Sequence, residues 1–248
     1  MGYSPLFACF FYGIKFMAIS QNPTMKTAIV IGATGFVGSR LVDMLLKDTR
    51  FETVKVFTRK STGLHSDRLQ EHVVNFDEPD SWKKLVTGDV LYSAMGTTLR
   101  AAGSKEAQYK VDYTYQYEVA KIAAANNVPT CVLVSAAGSS PESGIFYSRI
   151  KGELERDIKK LPFDTIHIIR PGMLGSGRKE VRTGEQIGIG VMKIVSLIPG
   201  LKKLRPIEGN EVAQAMINAT FMHAIGIHSY TMGAVFKLAN GLINEAVL

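Results

Sequence analysis

Cysteine is nearly absent: the 248-residue chain has two, Cys9 and Cys131. That is too few for a disulfide framework, so stability must come from a packed core, and a reducing, cytoplasmic setting is expected. Cys131 stands inside an apolar run and reads as a buried core thiol. Long runs of positive charge are missing too. The formal net charge is +7, yet the basic residues come at most in pairs, as at Lys83–Lys84, Lys159–Lys160 and Lys202–Lys203. Such pairs read as solvated helix faces, and no nucleic-acid partner is expected. The five histidines show no metal-ligand spacing, so no metal site is expected. No apolar stretch is long enough to span a bilayer. Leu6–Met17 is broken by Gly13 and Lys15 and falls short of the ~20 residues required. No positive charge precedes it and no small-residue cleavage site follows, so it makes a poor signal peptide. Residues 1–24 are expected to be an atypical, poorly ordered leader, with an interfacial anchor as the lesser reading. Residues 25–248 are expected to form one domain.

What the chain does contain is alternation. Thr27–Ile31 reads as a buried strand, and Val37, Leu41, Met44 and Leu45 then recur with helical period. Further strands are expected at Val54–Phe57, Val73–Val74, Val90–Ala94, Cys131–Val134 and Thr165–Ile169. Helices are expected at Pro79–Val86, Glu106–Asn126 and Phe146–Leu161. Continuously apolar strands separated by helices imply a parallel sheet covered on both faces. With right-handed crossovers this is an α/β doubly wound sheet, the Rossmann arrangement. After Pro171 the chain turns glycine-rich. A helix is expected near Ile189–Leu197 and another at Glu211–Phe221 with Asn210 as its cap, a small C-terminal segment on the substrate side.

The first strand runs straight into Gly32-Ala33-Thr34-Gly35-Phe36-Val37-Gly38. Three glycines spaced G-x-x-G-x-x-G between a strand and a helix are a relative of the dinucleotide fingerprint. Gly32 permits the tight turn, Gly35 close approach of the backbone to a pyrophosphate, and Gly38 close packing of the helix. Amides at the helix N-terminus would face the phosphate charge. NAD binders carry an acid near the end of the second strand to bond the ribose 2′-hydroxyl. Here that strand ends Phe57-Thr58-Arg59-Lys60. Arg59 offers a planar fork for a 2′-phosphate and Lys60 a point charge, so NADP(H) is the expected cofactor.

The fifth strand ends at Ser135, and the helix after it opens Phe146-Tyr147-Ser148-Arg149-Ile150-Lys151. Tyr147 and Lys151, four apart, share a helix face. A free phenol is a poor acid at neutral pH; an ammonium nearby stabilises the phenolate and makes proton transfer accessible. A serine hydroxyl leaving the C-terminal end of a parallel strand stands where ligands sit in such sheets. Ser135, Tyr147 and Lys151 are the candidate catalytic residues.

The ordered set Gly32–Gly38, Gly96-Thr97-Thr98, Val134-Ser135 with Gly138, Tyr147–Glu153 (YSRIKGE) and Arg170–Leu174 followed by Arg178 resembles the atypical short-chain dehydrogenases/reductases. More narrowly, it resembles the Tat-interacting-protein oxidoreductase subgroup and its bacterial relatives. The resemblance implies that Gly32, Thr34, Gly35, Phe36 and Val37 line the pyrophosphate. It sets Arg59 and Lys60 at the 2′-phosphate and Asn75 and Phe76 by the adenine. Met95, Gly96, Thr97 and Thr98 would run along the cofactor. Tyr147 would be the acid/base, and Lys151 would also bond the nicotinamide ribose. Pro171, Gly172 and Leu174 would flank the nicotinamide, with Arg178 nearby. Two positions depart from the pattern. Ser135-Ala136-Ala137 stands where many relatives have two or three serines, leaving Ser139 as an alternative, and Asp112 stands about where many extended relatives place asparagine. The implied activity is NADPH-dependent reduction of a small carbonyl substrate. The alternative is an NADP(H)-binding sensor or interaction protein with little turnover. A nucleotide-sugar epimerase comes third, because the segment after Pro171 is short for a sugar-nucleotide site.

Overall fold

The computed structural model describes residues 25–175, 205–222 and 225–243. Its frame is a seven-stranded sheet, ordered β3-β2-β1-β4-β5-β6-β7, in which every neighbouring pair is parallel. The strands are β1 Lys26–Ile31, β2 Phe51–Thr58, β3 Leu69–Val73, β4 Val90–Ser93, β5 Thr130–Val134, β6 Thr165–Arg170 and β7 Gly226–Thr231. The chain reverses direction across the sheet between β1 and β4, and the crevice above such a switch point is where ligands sit.

Side-chain alternation sends each central strand into two cores. Ala28 and Val30 of β1 join Val54, Val56 and Tyr92 on one face. Ile29 and Ile31 join Phe57, Leu91, Cys131 and Leu133 on the other. The first face is covered by α1 (Gly38–Lys47), α6 (Gly209–Thr220) and α7 (Gly233–Ala239). In α1 the period places Leu41, Val42 and Leu45 inward, all fully buried, each contributing about 1.5–3 kcal/mol. The Arg68 guanidinium donates to the carbonyls of Leu46, Asp48 and Phe51 and so satisfies the C-terminal end of α1. The second face is covered by α4 (Tyr115–Ala125), α5 (Phe146–Ile158) and the Trp82 turn. The short α2 (Leu99–Ala102) and α3 (Lys105–Tyr109) lead into α4. Cys131 is fully buried and its thiol is pushed up to about 12 by burial, as a core thiol should be.

Several elements differ from the expectation. Pro79–Val86 is two 3₁₀ turns, Pro79–Ser81 and Lys83–Leu85, divided at the buried Trp82. The stretch expected to be one helix at Glu106–Asn126 is α3, a π turn at Lys110–Thr114 and α4. Asn210 does not cap the C-terminal helix. Glu208 does, in a reciprocal box with Glu211, its carboxylate filling the space where Gly175 lacks a Cβ. The seventh strand was not expected at all. Its alternating, half-exposed pattern is that of an edge, and with it the C-terminal stretch completes the sheet. The expected helix at Ile189–Leu197 and residues 1–24 lie outside the described residues.

Candidate cofactor and active site

The loop after β1 is closed by backbone against backbone. Gly32 has φ +83°, and a Cβ there would meet the Ala94 carbonyl and the Met95 nitrogen at 2.5 Å. A Cβ on Gly38 would lie 2.0 Å from the Gly32 carbonyl oxygen. The Gly35 amide donates to that same oxygen at 2.9 Å. No side chain caps α1, so its first amides keep the partial positive charge of a helix N-terminus for an incoming anion.

Above this loop lies an open cleft of about 550 Å³. Gly32, Thr34, Gly35, Arg59, Phe76, Met95, Gly96 and Thr97, all candidates for cofactor contact, line it. So do Phe57, Thr58, Ala94, Val111 and Tyr115, which motif reading missed. The apolar floor is aromatic: the Phe76 ring lies 5.7 Å from Trp82 and 5.4 Å from Tyr115. Arg59 and Lys60 are exposed at the end of β2. The turn that follows is pinned by Glu71 of β3, which accepts from the Ser61 hydroxyl and from the Thr62 amide and hydroxyl. These bonds hold the Glu71 carboxyl below its ordinary range.

A second cleft of about 500 Å³ shares Gly35, Ala94, Met95, Gly96 and Thr97 with the first, so the two form one groove. It brings together Phe36, Val37, Ser135, Tyr147, Lys151 and Leu174, and with them Val134 and Asp112, to which no role had been assigned. Ser135 is buried, its Oγ 3.0 Å from Ser139 Oγ, while the Ser139 hydroxyl donates to the Ala136 carbonyl. Ser135, not Ser139, is the serine at the groove wall. Lys151 Nζ lies 2.9 Å from Asp112 Oδ1, both side chains almost fully buried.

Some expected residues stand off the groove. Lys60, Asn75, Thr98, Pro171 and Gly172 are not part of either cleft's wall. The Asn75 side chain donates to Glu78 and receives the Asp77 amide, and its carbonyl accepts from Trp82 Nε1. The Thr98 hydroxyl caps α2, and the Pro171 carbonyl accepts from the Ala137 amide. Arg178 lies outside the described residues.

The glycine cradle, the uncapped helix and a groove at the switch point fit a dinucleotide, and together they define an NAD(P)-binding protein with the short-chain dehydrogenase type of fold. The comparisons agree. A family described as NAD(P)H-binding matches residues 32–195. Protein FMP52-1, mitochondrial, of Scheffersomyces stipitis is 36% identical over 200 residues, which cover 78% of this chain and 87% of that protein. Protein FMP52, mitochondrial, of Candida albicans is 34% identical over 200 residues, 77% of this chain and 86% of that protein. A short chain dehydrogenase from Leptospira borgpetersenii, solved with bound NAD+, shares the fold with a TM-score of 0.65 at 13% identity, covering 85% of this chain and 92% of that one. The chain belongs to the FMP52 family of NAD(P)H-binding proteins. The relatives' names correct the cytoplasmic expectation, since both are called mitochondrial. Scarce cysteine argues against a disulfide framework, but it does not tell one reducing compartment from another.

Proposed function

We propose that this protein is an NADPH-dependent reductase of a small carbonyl compound, working in the mitochondrion, and related in its motif order to the Tat-interacting-protein oxidoreductases. One observation carries the reading: Ser135, Tyr147 and Lys151 line the same groove as Gly35 and the Met95–Thr97 strip. When bound, reduced nicotinamide supplies hydride chemistry. The rest falls to the chain's own groups. The glycine loop and the α1 amides would hold the pyrophosphate, Phe76 and Tyr115 the adenine side, and Arg59 the 2′-phosphate. Ser135 Oγ would hold the substrate carbonyl oxygen. Tyr147 Oη would donate the proton to that oxygen. Lys151 would favour the phenolate left behind and bond the ribose.

The test is a screen of small aldehydes and ketones, following the loss of NADPH absorbance with the purified full chain. Turnover of at least one compound, faster with NADPH than with NADH, is the expected result. Tight NADPH binding without turnover of any carbonyl compound would instead favour the sensor reading.

A further inference from the structure

Asp112 belongs to none of the expected roles, yet it is the most enclosed acid in the groove. Its side chain is fully buried, and so, to within 3%, is that of its partner Lys151. One carboxylate oxygen, Oδ1, lies 2.9 Å from Lys151 Nζ on α5. The other, Oδ2, accepts the Thr97 amide at 3.1 Å. The strip that carries Thr97 sits close on the same group, since a Cβ on Gly96 would come within 3.2 Å of Oδ1. Lys151 Nζ in turn reaches the Met95 carbonyl at 3.5 Å. One buried carboxylate therefore ties both sides of the groove together.

The backbone is shaped to put it there. Asp112 lies in the π turn Lys110–Thr114, a rare local widening of the helix that is frequent at functional sites. The Gln116 amide donates to the Asp112 carbonyl at 2.8 Å, and its oxygen accepts from the Ser93 hydroxyl at 2.8 Å. The turn is thus anchored to the end of β4. Stability alone is a weak reason for such a pair, because a buried ion pair often gives no more than an apolar pair of like volume.

We infer that Asp112 is a positioning residue of the dinucleotide site: it holds Lys151 against the Met95–Thr97 strip and presets the groove for the nicotinamide half. This rests on the reading that the groove takes a dinucleotide. The experiment is NADPH titration calorimetry on full-length wild type, Asp112→Asn, Lys151→Met and the double variant, with thermal midpoints taken without cofactor. Asparagine keeps an acceptor for the Thr97 amide and removes the charge that holds the ammonium. Asp112→Asn should weaken NADPH binding by about tenfold, inside the usual range for coupled neighbours. Because Asp112 acts through Lys151, the double variant should bind within about twofold of Lys151→Met alone. A folded Asp112→Asn that binds like wild type would overturn the inference, as would full additivity with Lys151→Met. If Asp112→Asn does not fold, the double variant buries no lone charge and its comparison with Lys151→Met decides alone. A wild type that binds neither NADPH nor NADH would instead remove the dinucleotide reading itself.

Discussion

The two ends of the groove are built from different materials. At the Gly32–Gly38 end the surface is backbone. Carbonyl, amide and Cα groups meet at distances that forbid a side chain, and the helix start above them carries no cap. At the Tyr147 end the surface is side chains brought from β5, α5, the π turn and the strip after β4, and held by one buried carboxylate. The first end is local, seven consecutive residues. The second depends on contacts spanning residues 95 to 151. A backbone site tolerates no added volume, whereas a side-chain site can lose a single function and keep its shape.

Substitution in the glycine loop should therefore have the largest effect. Gly38→Val would drive its Cβ into the Gly32 carbonyl, 2.0 Å away, with only backbone to move. A loss on the order of 4 kcal/mol or more in urea unfolding is expected, together with loss of dinucleotide binding. Gly32→Ala and Gly103→Ala make a matched pair. Their φ values are +83° and +85°, but Gly103 has nothing within 4 Å of an added Cβ while Gly32 faces backbone at 2.5 Å. Gly103→Ala should cost only about 1–2 kcal/mol of left-handed strain. Equal losses at the two sites would show that conformation, not close approach, governs the loop.

Next in size is Tyr147→Phe. The ring stays and the transferable proton goes, so turnover on a substrate found by screening should fall by roughly 10² or more. NADPH affinity should stay within about twofold, since the backbone end supplies most of the binding. Turnover near the wild-type rate would show that the side-chain end does not carry the proton transfer.

The same contrast explains what could be read from the chain alone. The parallel sheet, the presence of its first six strands and the phosphate loop follow from short-range signals: buried apolar runs, helical period, and glycines that only a tight turn requires. Ser135, Tyr147 and Lys151 were legible as candidates because two fall at helical spacing and the third ends a strand. Asp112 stood out only as a departure from a family pattern. Its partner is 39 positions away, and the π turn that aims it gives no periodic signal in KVDYT. Tyr115 and Val111, in and beside the same π turn, carried no motif signal either. β7 escaped because GIHSYT holds no continuous apolar run and, among the described residues, pairs on one side only.

Away from the groove, the β6–β7 edge offers a control whose effect should be intermediate. His167 is fully buried between Tyr230 and His228, and burial first, then His228, push it down to about 4. Its folded value is below the ordinary histidine value of 6.5, so the unfolded state binds the proton more readily. Stability from the neutral ring is therefore present above about pH 6.5 and lost as pH falls toward 4. From pH 7 to pH 5 the wild type should lose about 2 kcal/mol in urea unfolding that His167→Asn does not lose. Parallel pH slopes for the two proteins would remove His167 as the cause. NADPH affinity at pH 7 should be the same in both.

Cofactor choice should show the smallest effect, and it probes the backbone end where that end meets solvent. Arg59 is exposed at the close of β2, and the Glu71 bonds to Ser61 and Thr62 preset the turn beyond it. An exposed guanidinium is screened by water and salt, so its fork on a 2′-phosphate should be worth about tenfold in affinity, or 1.4 kcal/mol. Wild type should bind NADPH about tenfold more tightly than NADH. Arg59→Ala should bring the two together by weakening NADPH alone. Lys60, which stands off the cleft wall, should contribute less, and Lys60→Ala should move NADPH affinity by no more than about threefold. Raising the salt concentration should shrink the wild-type preference, because it weakens NADPH binding more than NADH binding. If NADPH and NADH bind equally to wild type at low salt, Arg59 does not read the 2′-phosphate, and the backbone loop alone accounts for dinucleotide affinity.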